Sequence, residues 1–521
     1  MTKRLLPIFL VFILGCTHTP SIYKEQGKQS VKSNIQDIID SSGLSTNMGI
    51  KIVSLKTNKT LYELNANSLF NPASNTKIYT CLAAISFLDT NYKFRTEVYR
   101  DEDTIYLVGG GDPDLTLEEL DSLAEAVSSQ IKGIHKLVID DTRLDSTLYG
   151  EGWMWDEGAW WYSAEISALS VNDNCVDFII TPGEKGAPAI IKTNPSSDYY
   201  QISNTSLTVN DTTGFQKFKI DRDWRNQVNQ FTIVGNIMDT TSADTIYRNI
   251  HNPSYYVGTL LKESLKSNGI SIQEMSRGKR PSTAKRIGYH ESKSLIHSLQ
   301  NLMVESDNLS AELLVKTIGF ESTKRQGNWN NGLFAVKTFL NDDVGIDTTK
   351  LALKDGSGIT RYNYSSANHF IQLLSWAYHQ PAVRDIFINT LPVGGLNGTI
   401  TDRALPSRVR AKTGSLSGVS TLSGYVFTHS GHPIVFSILM NGFTGSSKPY
   451  RDLQDNIVQY LGRLDATAIG YLSEWSLTEW SPKRKAFMDL VCQRFETAES
   501  KLPFSTSNVE PLTSGEQKVM E

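Results

Sequence analysis

Apolar and polar positions along this chain switch between two periods, and the switches mark out its organisation. Ile35–Ser42, Ile78–Leu88, Tyr255–Ser267, Leu295–Val304, Leu309–Ile318 and Asp452–Leu461 carry helical patterns. Met48–Ser54 reads as a strand, and Thr421–Phe427 and Pro433–Met440 read as the two strands of a hairpin. Between Phe94 and about Asp239 the pattern becomes a series of short β runs: Thr104–Val108, His135–Ile139, Val176–Thr181, Ala189–Ile191, Phe218–Ile220 and Phe231–Val234. Turn signals separate them. One, Gly109-Gly110-Gly111-Asp112-Pro113-Asp114, lacks both the Gly-Lys-Ser/Thr ending of a phosphate loop and the spacing of an EF-hand, so it is read as a turn. The simplest organisation is one α/β (α+β) domain split in sequence, residues 33–95 and 240–463, with β-rich inserted domains over 96–239. The aromatic run Trp153, Trp155, Trp160, Trp161 and Tyr162 fits either a second hydrophobic core or a wall facing a glycan or peptide.

The two ends have different patterns. Lys3-Arg4 followed by Leu5–Leu14 is a charged and then apolar leader. As a helix its apolar part reaches about 15 Å, half of a ~30 Å hydrocarbon core. Ile13-Leu14-Gly15-Cys16 resembles a bacterial lipobox, which implies a signal peptide over 1–16 and a lipid on Cys16. The polar stretch 17–32 then serves as a tether. Thr17, in place of Asp after that cysteine, points to the outer membrane and a periplasmic location. After 464 the pattern changes again: Ser481-Pro482 opens a helix to about Ala498, and a Pro/Ser/Glu-rich end reads as disordered.

Composition narrows the picture. With 39% hydrophobic and 20% charged residues in 521, the chain can build more than one core. Its net charge of −4 becomes −6 once Lys3 and Arg4 are removed, so no basic field invites nucleic acid. Beyond Cys16 the cysteines are Cys81, Cys175 and Cys492, an odd number that sets up no disulfide framework. Cys81 reads as a small buried hydrophobe. No zinc-ligand spacing is present, and the sequence calls for no metal or cofactor.

The chemistry lies in three short motifs: Ser74-Asn75-Thr76-Lys77, Ser306-Asp307-Asn308 and Lys412-Thr413-Gly414. Singly they are weak, since Ser276/Lys279 and Ser282/Lys285 repeat the first spacing and Ser45/Asn47 repeats the second. Order and context select the set. Ser74 and Lys77 are three apart at the head of an apolar helix, so they share one face. Ser276–Lys285, with Arg277, Gly278, Arg280 and Pro281, reads instead as a solvated basic loop. Ser306-Asp307-Asn308 links two helical patterns and fits a helix cap. Lys412 and Thr413, on a strand beside the nucleophile helix, would face an anionic group of a substrate.

In that order the three motifs resemble the set shared by penicillin-binding proteins and class A β-lactamases. The chain resembles the low-molecular-mass class C penicillin-binding proteins, the D-Ala-D-Ala carboxypeptidase/endopeptidase group of serine peptidases (the S13 family). The resemblance covers about residues 33–463. It also rests on Asn71-Pro72-Ala73-Ser74, Gly110-Gly111-Asp112-Pro113, Asp140-Asp141-Thr142-Arg143, Ser163-Ala164, Asp355-Gly356-Ser357-Gly358 with Arg361, and Leu391-Pro392. It implies a penicillin-binding domain interrupted by β-rich inserts, and peptidoglycan stem peptides ending in D-Ala-D-Ala, or their cross-links, as substrates. β-Lactams would acylate it. By the same resemblance Ser74 is the nucleophile and Lys77 its base, with a pKa lowered by burial and by cations such as Lys412. Ser306 relays a proton to the leaving amine, and Asn308 holds the substrate amide. Lys412, Thr413 and Gly414 form the strand that takes the terminal carboxylate. The N–H groups of Ser74 and Ser415 make the oxyanion hole. Arg361 and Asp156 meet the charged end of a stem-peptide diamino acid. Two other readings remain: a β-lactamase, against which the 306 − 74 = 232-residue gap counts, and a non-catalytic peptidoglycan-binding lipoprotein.

Overall fold

The computed structural model describes residues 30–464, so Cys16, most of the tether and the segment after 464 lie outside the described residues. The chain begins with helix α1 (Val31–Ser42), which Ser30 caps and Gly43 ends in the left-handed region; its start makes the last two residues of the expected tether helical. Strands β1 (Asn47–Ser54) and β2 (Thr60–Leu64) follow, and then helix α2 (Lys77–Phe87). The chain next leaves for a second layer: β3 (Arg95–Asp101), β4 (Thr104–Val108), α3 (Leu117–Ser128) and β5 (Lys136–Asp140). Eight short strands, β6 to β13, run between Cys175 and Asn249, and α4 (Pro253–Ser267), β14 (Glu274–Arg277) and β15 (Lys285–Glu291) complete the excursion. Helices α5 (Leu295–Val304), α6 (Asn308–Thr323), α7 (Trp329–Asp342), α8 (Ala367–His379) and α9 (Pro381–Thr390) come next. Strands β16 (Val409–Leu416), β17 (Val419–Phe427) and β18 (Pro433–Asn441) and helix α10 (Lys448–Gly462) close the fold.

The main sheet has the order β16-β17-β18-β1-β2, all antiparallel. The expected hairpin is present, with Phe427 opposite Pro433. β17 and β18 are buried on both faces, and the polar Ser423 and Ser437 within them hydrogen-bond to each other at 2.8 Å. Alternation sends successive side chains to opposite cores. Ile434, Phe436, Ile438 and Met440 pack with Ile35 of α1 and Ile457 of α10. Tyr425, Val435 and Leu439 pack with the helices α2 and α5 to α9. Helix α2 is buried on every side, Lys77 included, as the middle of a layered domain requires.

The second layer corrects three sequence expectations. Its sheet, β14-β5-β4-β3-β15, takes two strands from beyond residue 240. Helix α4 buries Tyr256, Val257 and Leu261 against Ile139 and Phe178 in that second core. The chain therefore rejoins the main domain after Glu291, not at 240. Within the stretch expected to be β-rich lies α3, opened by a reciprocal Thr116/Glu119 cap and buried through Leu120, Leu123, Ala124 and Val127. The basic stretch at 276–285 is no simple loop: Ser276 and Arg277 pair in parallel with Val138 and Ile139, and Arg277 forms an ion pair with Asp141.

The second layer also braces the first. Asp114 accepts hydrogen bonds from Ser298 and Asn301 of α5, and Asp145 pairs with Lys316 of α6 at 2.7 Å. Leu144, Ile166 and Ala168 are part of the main helical core. Both cysteines within the described residues, Cys81 and Cys175, are buried and free. No described helix is long and apolar enough to cross a membrane.

Candidate active site

The turn that carries Ser74, the expected nucleophile, is a tight 3₁₀ turn, Ala73–Thr76, which runs into α2 at Lys77. Ala73 adopts φ +46°, unusual for a residue with a Cβ. Asn71 holds it there, its Oδ1 accepting from the Ala73 N–H at 2.8 Å. Gly358 sits so close that a side chain at 358 would strike the Ala73 carbonyl. Ser74 is thus half-buried at the mouth of the cleft, with Lys77 fully buried below it.

Lys77 Nζ has three oxygen neighbours: Ser74 Oγ at 3.0 Å, Asn308 Oδ1 at 2.5 Å and the Ser357 carbonyl at 2.9 Å. Asn308 Oδ1 and the Ser357 carbonyl can only accept. A neutral amine therefore gives its two N–H groups to them and turns its lone pair toward the Ser74 hydroxyl. Burial pushes the Lys77 pKa down to about 8, against the pull of Asp307, Glu312 and Asp355. Desolvation alone does this, and the expected contribution of Lys412 is not among the causes. The repulsion appears on Lys412 instead, which is held well below the ordinary lysine range by burial first and Lys77 second.

Ser306 adopts φ +63° in the turn between α5 and α6, and Asp307 caps α6 by accepting from the N–H groups of Leu309 and Ser310. The cap and the chemical motif are therefore one structure. Lys412 Nζ donates to Ser306 Oγ at 2.8 Å and to the Thr413 carbonyl at 3.2 Å. The five residues, spread over 338 positions (412 − 74), form two hydrogen-bonded groups, Ser74–Lys77–Asn308 and Ser306–Lys412, close enough that the Lys77 charge acts on Lys412.

Strand β16 is an edge strand that lies across the nucleophile turn. The Asn75 amide, oriented by its partners, donates to the Lys412 carbonyl at 2.8 Å. Thr421 donates from the neighbouring strand to Pro72 O at 2.9 Å. Gly414 packs so closely that a Cβ there would come within 2.9 Å of Ser74 N. The Ala411 N–H bonds Pro392 O on the outer side of the strand, so by the two-residue alternation the Thr413 and Ser415 N–H groups face outward too. Thr413 Oγ1 donates to Thr399 Oγ1 at 2.7 Å, and Ser415 is exposed.

Arg361 and Asp156 lie apart from the cluster. Arg361 Nη1 donates to the Ser417 carbonyl at 3.0 Å, beyond Ser415 in the β16–β17 turn. Asp156 is exposed and close enough to Tyr162 that its charge helps raise that phenol's pKa, after burial and Glu157. The aromatic run is neither a single core nor simply a wall. Trp153 packs against the main core and donates to Asp355 Oδ2 at 3.1 Å, whereas Trp155 is 74% exposed.

Two supports were missed in the sequence. Glu312 of α6, wholly buried, accepts from Trp329 Nε1 at 2.7 Å, Gly356 N at 2.9 Å and Ser357 N at 2.8 Å. Asp355 accepts from Gly358 N at 2.9 Å, Thr360 N at 2.8 Å and Asn363 Nδ2 at 2.7 Å. Together they fix the loop whose Ser357 carbonyl receives Lys77. The second support is the Tyr162 carbonyl, which takes Asn308 Nδ2 at 2.7 Å and leaves that amide one free N–H. A glutamate inside an otherwise buried helix was the available signal for Glu312; a backbone carbonyl leaves none.

A half-buried Ser74 over a buried Lys77, closed by a Ser/Asn turn and a Lys-Thr-Gly edge strand, is the motif set of the penicillin-binding fold. The D-Ala-D-Ala carboxypeptidase 3 (S13) family profile matches residues 31–464, and this chain belongs to that family. It is 31% identical over 472 residues to the D-alanyl-D-alanine carboxypeptidase of Actinomadura sp. (strain R39), covering 84% of this chain and 86% of the relative. It is 25% identical over 449 residues to the D-alanyl-D-alanine carboxypeptidase DacB of Haemophilus influenzae, covering 82% of this chain and 92% of that one. The fold matches the crystal structure of Haemophilus influenzae penicillin-binding protein 4 with a TM-score of 0.73 at 23% identity, over 83% of this chain and all of that one.

Proposed function

We propose that this protein is a serine-type D-alanyl-D-alanine carboxypeptidase and D,D-endopeptidase that acts on peptidoglycan through an acyl-enzyme on Ser74. The observation that carries this reading is the 3.0 Å contact between Ser74 Oγ and a buried Lys77 Nζ whose other two neighbours are fixed acceptors. Lys77 takes the hydroxyl proton as Ser74 Oγ attacks the carbonyl of the penultimate D-Ala. The N–H groups of Ser74 and Ser415 receive the oxyanion. Ser306, whose Oγ accepts from Lys412, relays to the leaving amine the proton that Lys77 took, so that Lys77 is neutral again as the C–N bond breaks. Water then attacks the ester and returns the proton, regenerating Ser74. The free N–H of Asn308 holds the substrate's peptide carbonyl, and Lys412 and Thr413 receive the carboxylate.

One carboxylate site suits both activities. A free D-Ala end and a cross-link to the D-centre of a diamino acid both expel an amine whose own α-carbon bears a carboxylate. Arg361 and Asp156 would meet the charged end of that diamino acid. β-Lactams would acylate Ser74 at the same site; a second Haemophilus influenzae penicillin-binding protein 4 structure, TM-score 0.66, holds a β-lactam in that protein. A lipid on Cys16 would hold the enzyme to the outer membrane, facing the periplasm, and Cys16→Ala should then move it from the membrane fraction to the soluble one.

The test is chromatography of products from diacetyl-L-Lys-D-Ala-D-Ala and from D,D-cross-linked muropeptide dimers. Release of D-Ala and opening of the dimer, both lost in Ser74→Ala, are expected. D-Ala release alone would remove the endopeptidase half. Neither product, with rapid turnover of nitrocefin, would replace the reading with a β-lactamase.

A further inference from the structure

An aromatic surface that the catalytic cluster does not use begins beside Asn308. The Tyr162 carbonyl holds the Asn308 amide at 2.7 Å, and the Tyr162 ring is stacked with Trp160 at 6.2 Å and 10°. Trp161 meets Tyr162 edge-on and is 40% exposed. Five residues before Trp160, Trp155 is 74% exposed and pairs with Trp224 of the inserted layer, ring centroids 5.4 Å apart. The Arg225 guanidinium lies 5.0 Å from the Trp224 ring centre. Tryptophan is highly buried on average, so an indole three-quarters exposed beside a second indole is a feature to be explained. Trp155 and Trp224 come from segments 69 residues apart (224 − 155), so the pair is a product of the fold and not of local sequence. Among the described residues the indole N–H groups of Trp155, Trp160, Trp161 and Trp224 make no hydrogen bond within the protein, whereas those of Trp153 and Trp329 donate to Asp355 and Glu312.

We propose that Trp155 and Trp224 form a carbohydrate subsite that seats an N-acetylated sugar of the glycan strand to which the stem peptide is attached. The inference rests on the peptidoglycan reading above and extends it from peptide to sugar. Pyranose rings present an apolar C–H face and a rim of hydroxyl and acetamido groups. A tilted indole pair whose N–H groups have no partner among the described residues, with a guanidinium over the Trp224 ring, matches both features. A lipid surface or an apolar peptide would use the faces and leave the N–H groups without a role. Position agrees as well. Four stem residues extend at most about 14 Å, so the sugar lies beyond the cluster that holds the scissile bond. The aromatic run begins in contact with Asn308 and leads outward from it, and Asp156, next to Trp155, is within electrostatic range of the Tyr162 hydroxyl.

The experiment compares Trp155→Ala and Trp224→Ala with the natural protein in two assays. The first is kcat/KM for D-Ala release from a disaccharide pentapeptide and from diacetyl-L-Lys-D-Ala-D-Ala, which carries no sugar. The second is binding of N,N′,N″-triacetylchitotriose to the penicillin-acylated enzyme, followed by tryptophan fluorescence. Acylation blocks the catalytic cluster, so this signal reports the wall alone. Each substitution should lower the ratio of the two kcat/KM values about tenfold, the scale of one lost aromatic contact, and abolish the fluorescence change. Trp224→Ala, distant in sequence from Asp156, separates the sugar subsite from any effect on the stem peptide. An unchanged ratio in both variants would overturn the proposal, as would equal loss on both substrates. So would a concentration-dependent dimer that Trp155→Ala dissolves while chitotriose leaves the fluorescence unmoved, since the wall would then be a face between two copies. If the natural protein releases D-Ala from neither substrate, the peptidase reading fails, and the chitotriose measurement still decides the subsite.

Discussion

Replacing Gly414 with alanine should disable the site and leave the domain folded. Gly414 lies where β16 crosses the nucleophile turn, and a Cβ built there stands 2.6 Å from Pro72 O and 2.9 Å from Ser74 N. Ordinary contact begins near 3.4 Å, so strand and turn must separate by 3.4 − 2.6 = 0.8 Å at Pro72 and 3.4 − 2.9 = 0.5 Å at Ser74. The third neighbour, Thr421 Oγ1, cannot rotate away without losing its 2.9 Å bond to Pro72 O. The two proposed oxyanion donors sit on the two segments being forced apart, Ser74 on the turn and Ser415 on the strand. Preorganised donors tolerate about 0.5 Å of displacement, and losing one costs about 100- to 1,000-fold in rate, or ~2.7–4 kcal/mol. Overpacking itself costs about 1–3 kcal/mol, which in a domain of this size lowers Tm by only a few degrees. The assay is the second-order rate of acylation by a fluorescent penicillin, set beside the calorimetric Tm. Acylation should fall at least about 100-fold while a single cooperative transition persists. Acylation within about threefold of the natural protein would refute the claim that strand–turn spacing sets the oxyanion geometry.

Acylation should also depend on pH through Lys77. In the proposed reaction the neutral amine is the base, so the rate should rise as Lys77 loses its proton, with a midpoint near the value of about 8 that burial imposes, and level off above it. A flat profile across that midpoint would contradict the assignment of Lys77 as the base. Glu312→Gln turns one acceptor oxygen toward an N–H as a donor, at a cost of about 1–3 kcal/mol. Because Glu312 fixes the loop carrying the Ser357 carbonyl, acylation should fall about tenfold along with Tm. An acylation rate that stays constant as Tm drops would show that the loop does not position Lys77.

Much of this site was legible because its parts are short and local. Ser74 and Lys77 are three residues apart, Asp307 is a cap by composition as well as by position, and the Lys412 strand is bounded by glycine. The fold was legible where one face is buried, as in β4 and α5, whose limits match the pattern at both ends. Elsewhere the pattern carried no address. Helix α4 shows the same amphipathic spacing whichever core it covers, so sequence alone returned the chain to the main domain some fifty residues too early. Arg277 and Arg280 looked solvated because their partners are distant in sequence: Asp141 for one, and for the other the Tyr99 ring, 4.1 Å away. Glu312 offered only its place inside an apolar helical run, and the three N–H groups its carboxylate accepts, from Trp329, Gly356 and Ser357, lie 17, 44 and 45 residues on. The tryptophan run has neither a two-residue nor a helical period, and only the fold divides it, with Trp153 inward to Asp355 and Trp155 outward to Trp224.

The most direct test of the account is the intact mass of the purified protein after brief exposure to benzylpenicillin, beside Ser74→Ala. The account predicts one stable adduct per chain, mapped to the peptide containing Ser74 and absent from the variant. An adduct that persists in Ser74→Ala, or no adduct on a folded natural protein, would contradict the assignment of Ser74 as the nucleophile.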